Sequence, residues 1–234
     1  VKAPLHAAVS LPLWPLALLA SLLPFAAAVV PAWLSMRWGL VERCNPFFDG
    51  CVSVSRAARS EPPVHIFRAL MLPGATLQGL VWLLAAAWLR RELGPLPSLR
   101  WLAGLGVAAA VALVLYAAFL GTEGPVYRWL RQYGTVFYFG CTCICLLLAG
   151  GAVQRLATAG RLALPRALER AMVTLAGALV ALGLGNAIVA ALFGDALKAR
   201  IENVTEWWGS LIFVLGFLAL ALMWRRLGLR ATIG

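Results

Sequence analysis

Between Cys44 and Arg68 the chain reads CNPFFDGCVSVSRAARSEPPVHIFR, the longest polar interruption in an otherwise apolar sequence. Two cysteines, a Ser-x-Ser pair, several arginines and one of the chain's 2 histidines fall inside it. Guanidinium groups match phosphate oxygens bidentately, so Arg56, Arg59 and Arg68 are candidates to hold lipid headgroups. The competing reading pairs them with Asp49 and Glu61, or leaves them anchoring the segment at the membrane surface. Arg68 has apolar neighbours on both sides (Ile66 and Phe67, Ala69 and Leu70). That drawing-in marks it as a functional candidate, because an ionisable group below headgroup level is costly. His65 lies three residues ahead of Arg68 and shares its helical face. A histidine near Ser53, Ser55, Cys44 or Cys51 raises nucleophilic catalysis. No third orienting group stands at a diagnostic spacing and no GxSxG occurs, so an interfacial histidine is the plainer reading.

Cys44 and Cys51 enclose Asn45, Pro46, Asp49 and Gly50, all turn-formers. In an oxidising compartment they can bridge; two unpaired thiols, or a reactive thiol beside Arg43 or Arg56, are the alternatives. A second polar patch, GTEGPVYRWLRQYGT, brings Glu123, Arg128 and Arg131 together, with an ion pair as one reading and a proton-accepting Glu123 as another. Cys141, Cys143 and Cys145 fall in an apolar run. On a helix Cys141 and Cys145 share a face while Cys143 points nearly opposite, so the three cannot converge on a metal. Small apolar packing is the expectation there, with S-acylation as the alternative. No CxxC or CxxCH is present, and neither a metal nor a cofactor is expected. Asn203-Val204-Thr205 fits the glycosylation sequon, but its closeness to an apolar run argues that it carries nothing.

The elements that must position these residues are membrane spans. The chain is 62% hydrophobic over 234 residues, well above the roughly half expected of a soluble domain. Six apolar runs are separated by short connectors: about 12–36, 66–89, 101–120, 133–153, 171–193 and 207–223, with an outer loop over 37–65. The fold class is therefore an all-α polytopic bundle forming a single domain over 1–234. The first run also resembles a signal peptide, with Lys2 ahead and Ala26-Ala27-Ala28 as a cleavage site; its continuation through Trp33 and Leu34 favours a retained span. Pro73 is expected to kink the second span, and Thr76 and Gln78 must face protein or water.

The net charge of +11 admits nucleic acid or anionic lipid as partner. Its basic residues cluster at the ends of apolar runs, which favours topology and headgroup contact over nucleic acid. Eleven of the 20 Lys and Arg residues lie on the side of the termini, against two acids; nine lie on the other side, against seven acids. Both termini are thus expected in the cytoplasm and the first loop in the periplasm. Scarce lysine with abundant Arg, Ala, Leu and Gly fits a GC-rich bacterial genome, hence an inner membrane. Gly177, Ala181 and Gly185 recur every fourth residue as a close-packing ridge, with Asn186 beside it.

Six spans with both termini inside, and a first outer loop reading Ser53-Val54-Ser55, then Pro62 or Pro63, then Phe67, resemble the DRAM family. That family covers damage-regulated autophagy modulators, FGF-receptor-activating-protein-like proteins and the GPI-anchor remodelling proteins related to them. Gly134 with Phe137, Tyr138 and Phe139 is a second point of likeness. Family members often carry a histidine shortly before that glycine, where this chain has Arg131-Gln132-Tyr133. The resemblance implies a lipid-related role and supplies no catalytic residues. The expectation is a lipid-handling membrane protein whose headgroup candidates are Arg56, Arg59, His65, Arg68, Glu123, Arg128 and Arg131, with membrane lipids as partners. The alternatives are a lipid-modifying enzyme using His65, Glu123 and a loop serine, and an accessory subunit that binds another membrane protein through the small-residue ridge.

Overall fold

A computed structural model describes residues 9–233. Lys2, counted above with the terminal side, lies outside them. Seven helices and two short strands follow in the order β1 (Val9–Pro12), α1 (Trp14–Arg37), α2 (Val54–Ala57), α3 (Pro63–Leu93), α4 (Pro97–Ala118), α5 (Pro125–Thr158), α6 (Arg166–Leu192), α7 (Asp195–Arg226) and β2 (Arg230–Ile233). Six of these helices are long and apolar enough to cross a membrane. Proline opens α3, α4 and α5 within their first two positions, where its missing N–H costs nothing. Gly94 ends α3 at φ 84°, and its N–H caps the Arg90 carbonyl at 2.9 Å.

The long helices pack as a closed ring in the order α1, α3, α4, α5, α6, α7 and back to α1. Successive spans alternate in direction, so the termini share one end with the 94–96 and 159–165 connectors. The 38–62 segment shares the other end with the 119–124 and 193–194 connectors. At the terminal end β1 and β2 pair antiparallel, Ser10 opposite Thr232, and Arg225 lies 5.3 Å over the Trp14 ring. Nothing in the sequence pattern anticipates this ribbon, since four residues are too few to show a period. Arg161 meets Glu92 at 3.3 Å and ties the two basic connectors together.

Lipid tails are as apolar as leucine, so helices associate in a bilayer through close packing and internal hydrogen bonds rather than hydrophobic expulsion. Both appear here. Gly106 on α4 lies directly against the Trp82 side chain of α3, with no room for a Cβ. By contrast, Gly177 and Gly185 meet nothing within 4 Å, and Ala181 is exposed between them. The ridge expected to pack α6 into the bundle therefore faces outward, and Asn186 is half-buried beside it. The repeat permits close approach but does not supply a neighbour.

Gln78 of α3 is buried, donating to the Ala20 carbonyl at 3.2 Å and accepting from the Tyr138 hydroxyl at 3.0 Å. It joins α1, α3 and α5, as a polar residue in a span must. Thr76 departs from expectation. It is exposed, and returns its hydroxyl to the Leu72 carbonyl at 3.0 Å, which satisfies it without a neighbouring helix. Gln78→Leu is expected to cost about 1 kcal/mol of helix association, read as a lower melting temperature in detergent, with Tyr138→Phe costing no more when added to it.

Candidate functional site

The polar segment after α1 is held against the upper part of α7 by a row of side chains. Arg200 Nε donates to the Asp49 carbonyl at 3.0 Å, Asn203 Nδ2 to Gly50 at 2.8 Å, Trp207 Nε1 to Val52 at 2.9 Å and Trp208 Nε1 to Phe47 at 3.0 Å. Phe47 packs on both indoles, 5.2 Å from Trp207 and 5.6 Å from Trp208. Asn203, the sequon asparagine, thus spends its amide on the loop. Inside the loop, Asn45 builds its own turn, its side chain accepting from Phe47 N–H while its N–H donates to Asp49. Cys44 and Cys51 are joined by a disulfide, their Cα atoms 6.6 Å apart. On chain-entropy grounds, a bridge closing eight residues stabilises by about 2.5 kcal/mol. Cys44→Ser with Cys51→Ser is accordingly expected to lower the unfolding free energy by about that amount, measured by denaturation in mild detergent with and without reductant.

Ser53 caps the short α2 by accepting from Arg56 N–H at 3.1 Å. Ser35 of α1 donates to the Ala57 carbonyl at 2.6 Å, which seats the far end of α2 on the bundle. The N–H of Ser55 donates to Glu206 Oε1 on α7 at 3.2 Å. Pro63 then starts α3, and Phe67 is fully buried with its ring 6.0 Å from Tyr116. The Ser-x-Ser, proline and Phe67 positions thus have identifiable structural roles.

Beneath the loop lies a cavity of about 680 Å³. Its walls are Ser55 and Arg59 at and after α2, Tyr116 near the end of α4, the 121–124 connector, Arg128, Arg131, Gln132 and Thr135 on α5, and Glu206 on α7. Two of its walls lie where connectors were expected. Helix α5 begins at Pro125 and α7 at Asp195, well before the expected span starts at 133 and 207. Consequently Thr135, Arg131 and Arg128 fall at helical spacing along one face, spanning about 10 Å at 1.5 Å per residue. Arg131 uses Nη1 on the Phe119 carbonyl at 3.1 Å and also on the Thr122 carbonyl, fixing the connector and its own guanidinium together. The N-terminus of α5, capped by Gly124, also borders the cavity, and free N–H groups there favour an anion.

Among the described residues only His65–Glu61 and Arg161–Glu92 bring opposite charges within 4.0 Å. Arg59, Arg128 and Arg131 therefore face the cavity without a carboxylate partner, and neither the Glu123 ion pair nor pairing of the loop arginines with Asp49 or Glu61 is formed. The same space is lined by Glu123 and Glu206, and Arg59 and Arg128 are exposed at it, so the lining holds more cations than acids, which favours an anion.

The remaining candidates are elsewhere. Arg56 is exposed. His65 is exposed beside Glu61 at 3.9 Å and does not line the cavity, so it is not brought to Glu123 or to a serine. Arg68 is half-buried and donates Nη2 to the Leu120 carbonyl at 2.5 Å. It thereby holds the connector just past the end of α4. Cys143 turns toward Ala176 of α6 and Cys145 toward Leu102 of α4, so the cysteines diverge as their spacing requires.

A second, narrow cleft of about 60 Å³ adjoins the polar cavity, sharing Tyr116, Thr135 and Glu206 with it. Its other walls are largely apolar, among them Phe25, Val29, Leu113, Phe139, Leu211 and Phe213. Phe25 is 41% exposed, so the cleft reaches the outer surface of the bundle. Polar receptor and apolar cleft together make an amphipathic site. Glu206, Tyr116 and Thr135 at their seam were missed from sequence; an acid inside a stretch that turns out to be helix was the available signal. No family model, curated protein or solved structure matches this chain. What fold and site define is a six-span helical membrane protein with a disulfide-closed loop over an amphipathic cavity.

Proposed function

We propose that this protein binds a membrane phospholipid, with its phosphate in the arginine-lined cavity and part of its hydrocarbon in the adjoining cleft. The observation that carries this reading is the continuity of a cavity in which three arginines outnumber two acids with an apolar cleft at the Tyr116, Thr135 and Glu206 seam. Lipid distribution or accommodation follows from such a site more directly than chemistry does, since His65 stands outside it. We place the protein in a bacterial inner membrane with both termini cytoplasmic and the loop periplasmic, on the strength of the basic connectors at the terminal end. Membership of the DRAM family belongs to the same proposal: of the residues that carry the resemblance, Ser55 lines the cavity.

The test is photo-crosslinking with a phospholipid bearing a diazirine along its acyl chain, mapped by peptide mass spectrometry. Adducts on the α1 and α7 residues of the cleft are expected. Adducts confined to the exposed outer face of α6 would overturn the proposal. A stoichiometric co-purifying protein with no retained lipid would instead favour the accessory-subunit reading.

A further inference from the structure

The apolar cleft has a mouth on the bilayer side, between α1 and α7. At the terminal end these helices are fastened together: Leu13 N–H donates to the Leu229 carbonyl at 3.0 Å, and Arg225 lies over the Trp14 ring. The outermost fastening is the Ser21 hydroxyl, which donates to the Val214 carbonyl at 2.8 Å. Beyond it, no hydrogen bond joins α1 to α7 among the described residues, and there the cleft begins. Phe25 and Val29 line it on α1, and Ser210, Leu211 and Val214 on α7. From Val214 to Glu206 the α7 wall rises about 12 Å at 1.5 Å per residue, up to the seam with the polar cavity.

The α1 wall is the softer of the two. Pro24 and Pro31 bracket its lining turn, and a proline cannot donate to the carbonyl four residues earlier. Gln78 takes the Ala20 carbonyl that Pro24 leaves free, at 3.2 Å. Gly74 makes room for the Pro24 ring, which a Cβ there would meet at 2.9 Å. Helix α3 thus fixes α1 at Pro24, and the turn beyond it is held by fewer helical bonds. The roof of the cleft is held harder, since Trp207 donates to the Val52 carbonyl at 2.9 Å and Phe47 packs on its ring. An acyl chain threaded under that roof from water would be exposed along its length, at a cost that grows with each methylene. A chain entering from the side stays in apolar surroundings. We propose that a lipid acyl chain enters laterally from the bilayer between α1 and α7, with Phe25, 41% exposed in the mouth, as the gate residue. This route rests on the lipid-binding reading above.

The experiment is lipid exchange on the full chain in mild detergent. Protein loaded with phosphatidylglycerol is mixed with micelles holding the same lipid with deuterated acyl chains. Native mass spectrometry follows the replacement of light lipid by heavy over time. Phe25→Ala should exchange roughly tenfold faster than Phe25→Trp, with the wild type between them, because removing or enlarging a ring opens or fills the mouth. Leu211→Trp fills the same mouth from α7, should also be slow, and stands in for Phe25→Trp where that variant does not fold. Equal rates in the variants and the wild type overturn the lateral route and leave lipid binding standing. Acceleration of such a uniform rate on reducing Cys44–Cys51 would place the route under the loop instead. A wild type that retains no lipid overturns both readings.

Discussion

Arg59→Gln combined with Arg128→Gln is expected to strip bound phospholipid from the purified protein while leaving it folded. Both side chains line the cavity with no carboxylate within 4.0 Å, so their removal breaks no ion pair. Arg131 is the wrong choice for this test, because it also holds the Phe119 and Thr122 carbonyls. Each charge-assisted contact to phosphate contributes about 1.5–3 kcal/mol, so losing two should weaken retention by at least about a hundredfold. The measurement is lipid phosphorus per protein after successive detergent washes, paired with a thermal melt. Loss of phosphorus with a melt close to wild type is the expected result. Unchanged phosphorus would remove the arginines from any headgroup role.

Gly50→Val is expected to have the largest effect on stability. Gly50 has φ +61°, and a Cβ there would run into the Arg200 backbone carbonyl and sit 3.1 Å from the Val204 side chain. A β-branched residue in the left-handed region costs about 1–3 kcal/mol, and steric overlap against a helix backbone adds about 1–3 kcal/mol. The strain acts where the loop meets α7, so the bonds from Arg200, Asn203, Trp207 and Trp208 should be lost together. Limited proteolysis would report this as cleavage within the 38–62 segment, protected in the wild type. Protection equal to wild type would show that the loop does not depend on this contact.

Much of the fold was readable because a bilayer imposes one rule on every span. Twenty or so apolar residues must occur together, and six such runs do. The ends of two spans were misjudged for a physical reason. The first turns of α5 and α7 face the polar loop and its cavity, so Arg128, Arg131, Arg200 and Glu206 interrupt the apolar run without interrupting the helix. Hydropathy reads a cavity wall as a connector. Arg59 was legible as a candidate because guanidinium matches phosphate, and Glu123, Arg128 and Arg131 because they share one polar connector; all four line the cavity. Arg68 looked most exceptional because it sits among apolar neighbours, yet it donates to the Leu120 carbonyl in the connector after α4; cost shows that a charge needs a partner, not which partner it has. The Gly177, Ala181 and Gly185 spacing is similarly silent about the neighbour, and α6 turns it outward.

Glu206 shows where sequence reading stops. Its depth depends on where α7 begins, and its bond to Ser55 joins residues 151 apart in the chain. Only the assembled loop, α2 and α7 reveal it as the seam between receptor and cleft.

The most direct test of a lipid-filled cavity is native mass spectrometry of the wild-type protein, extracted gently from its own membrane. One phospholipid per chain, surviving detergent exchange and released when Arg59 and Arg128 are replaced, is the predicted result. A lipid-free chain under the same conditions, with the loop still closed by its disulfide, would contradict it.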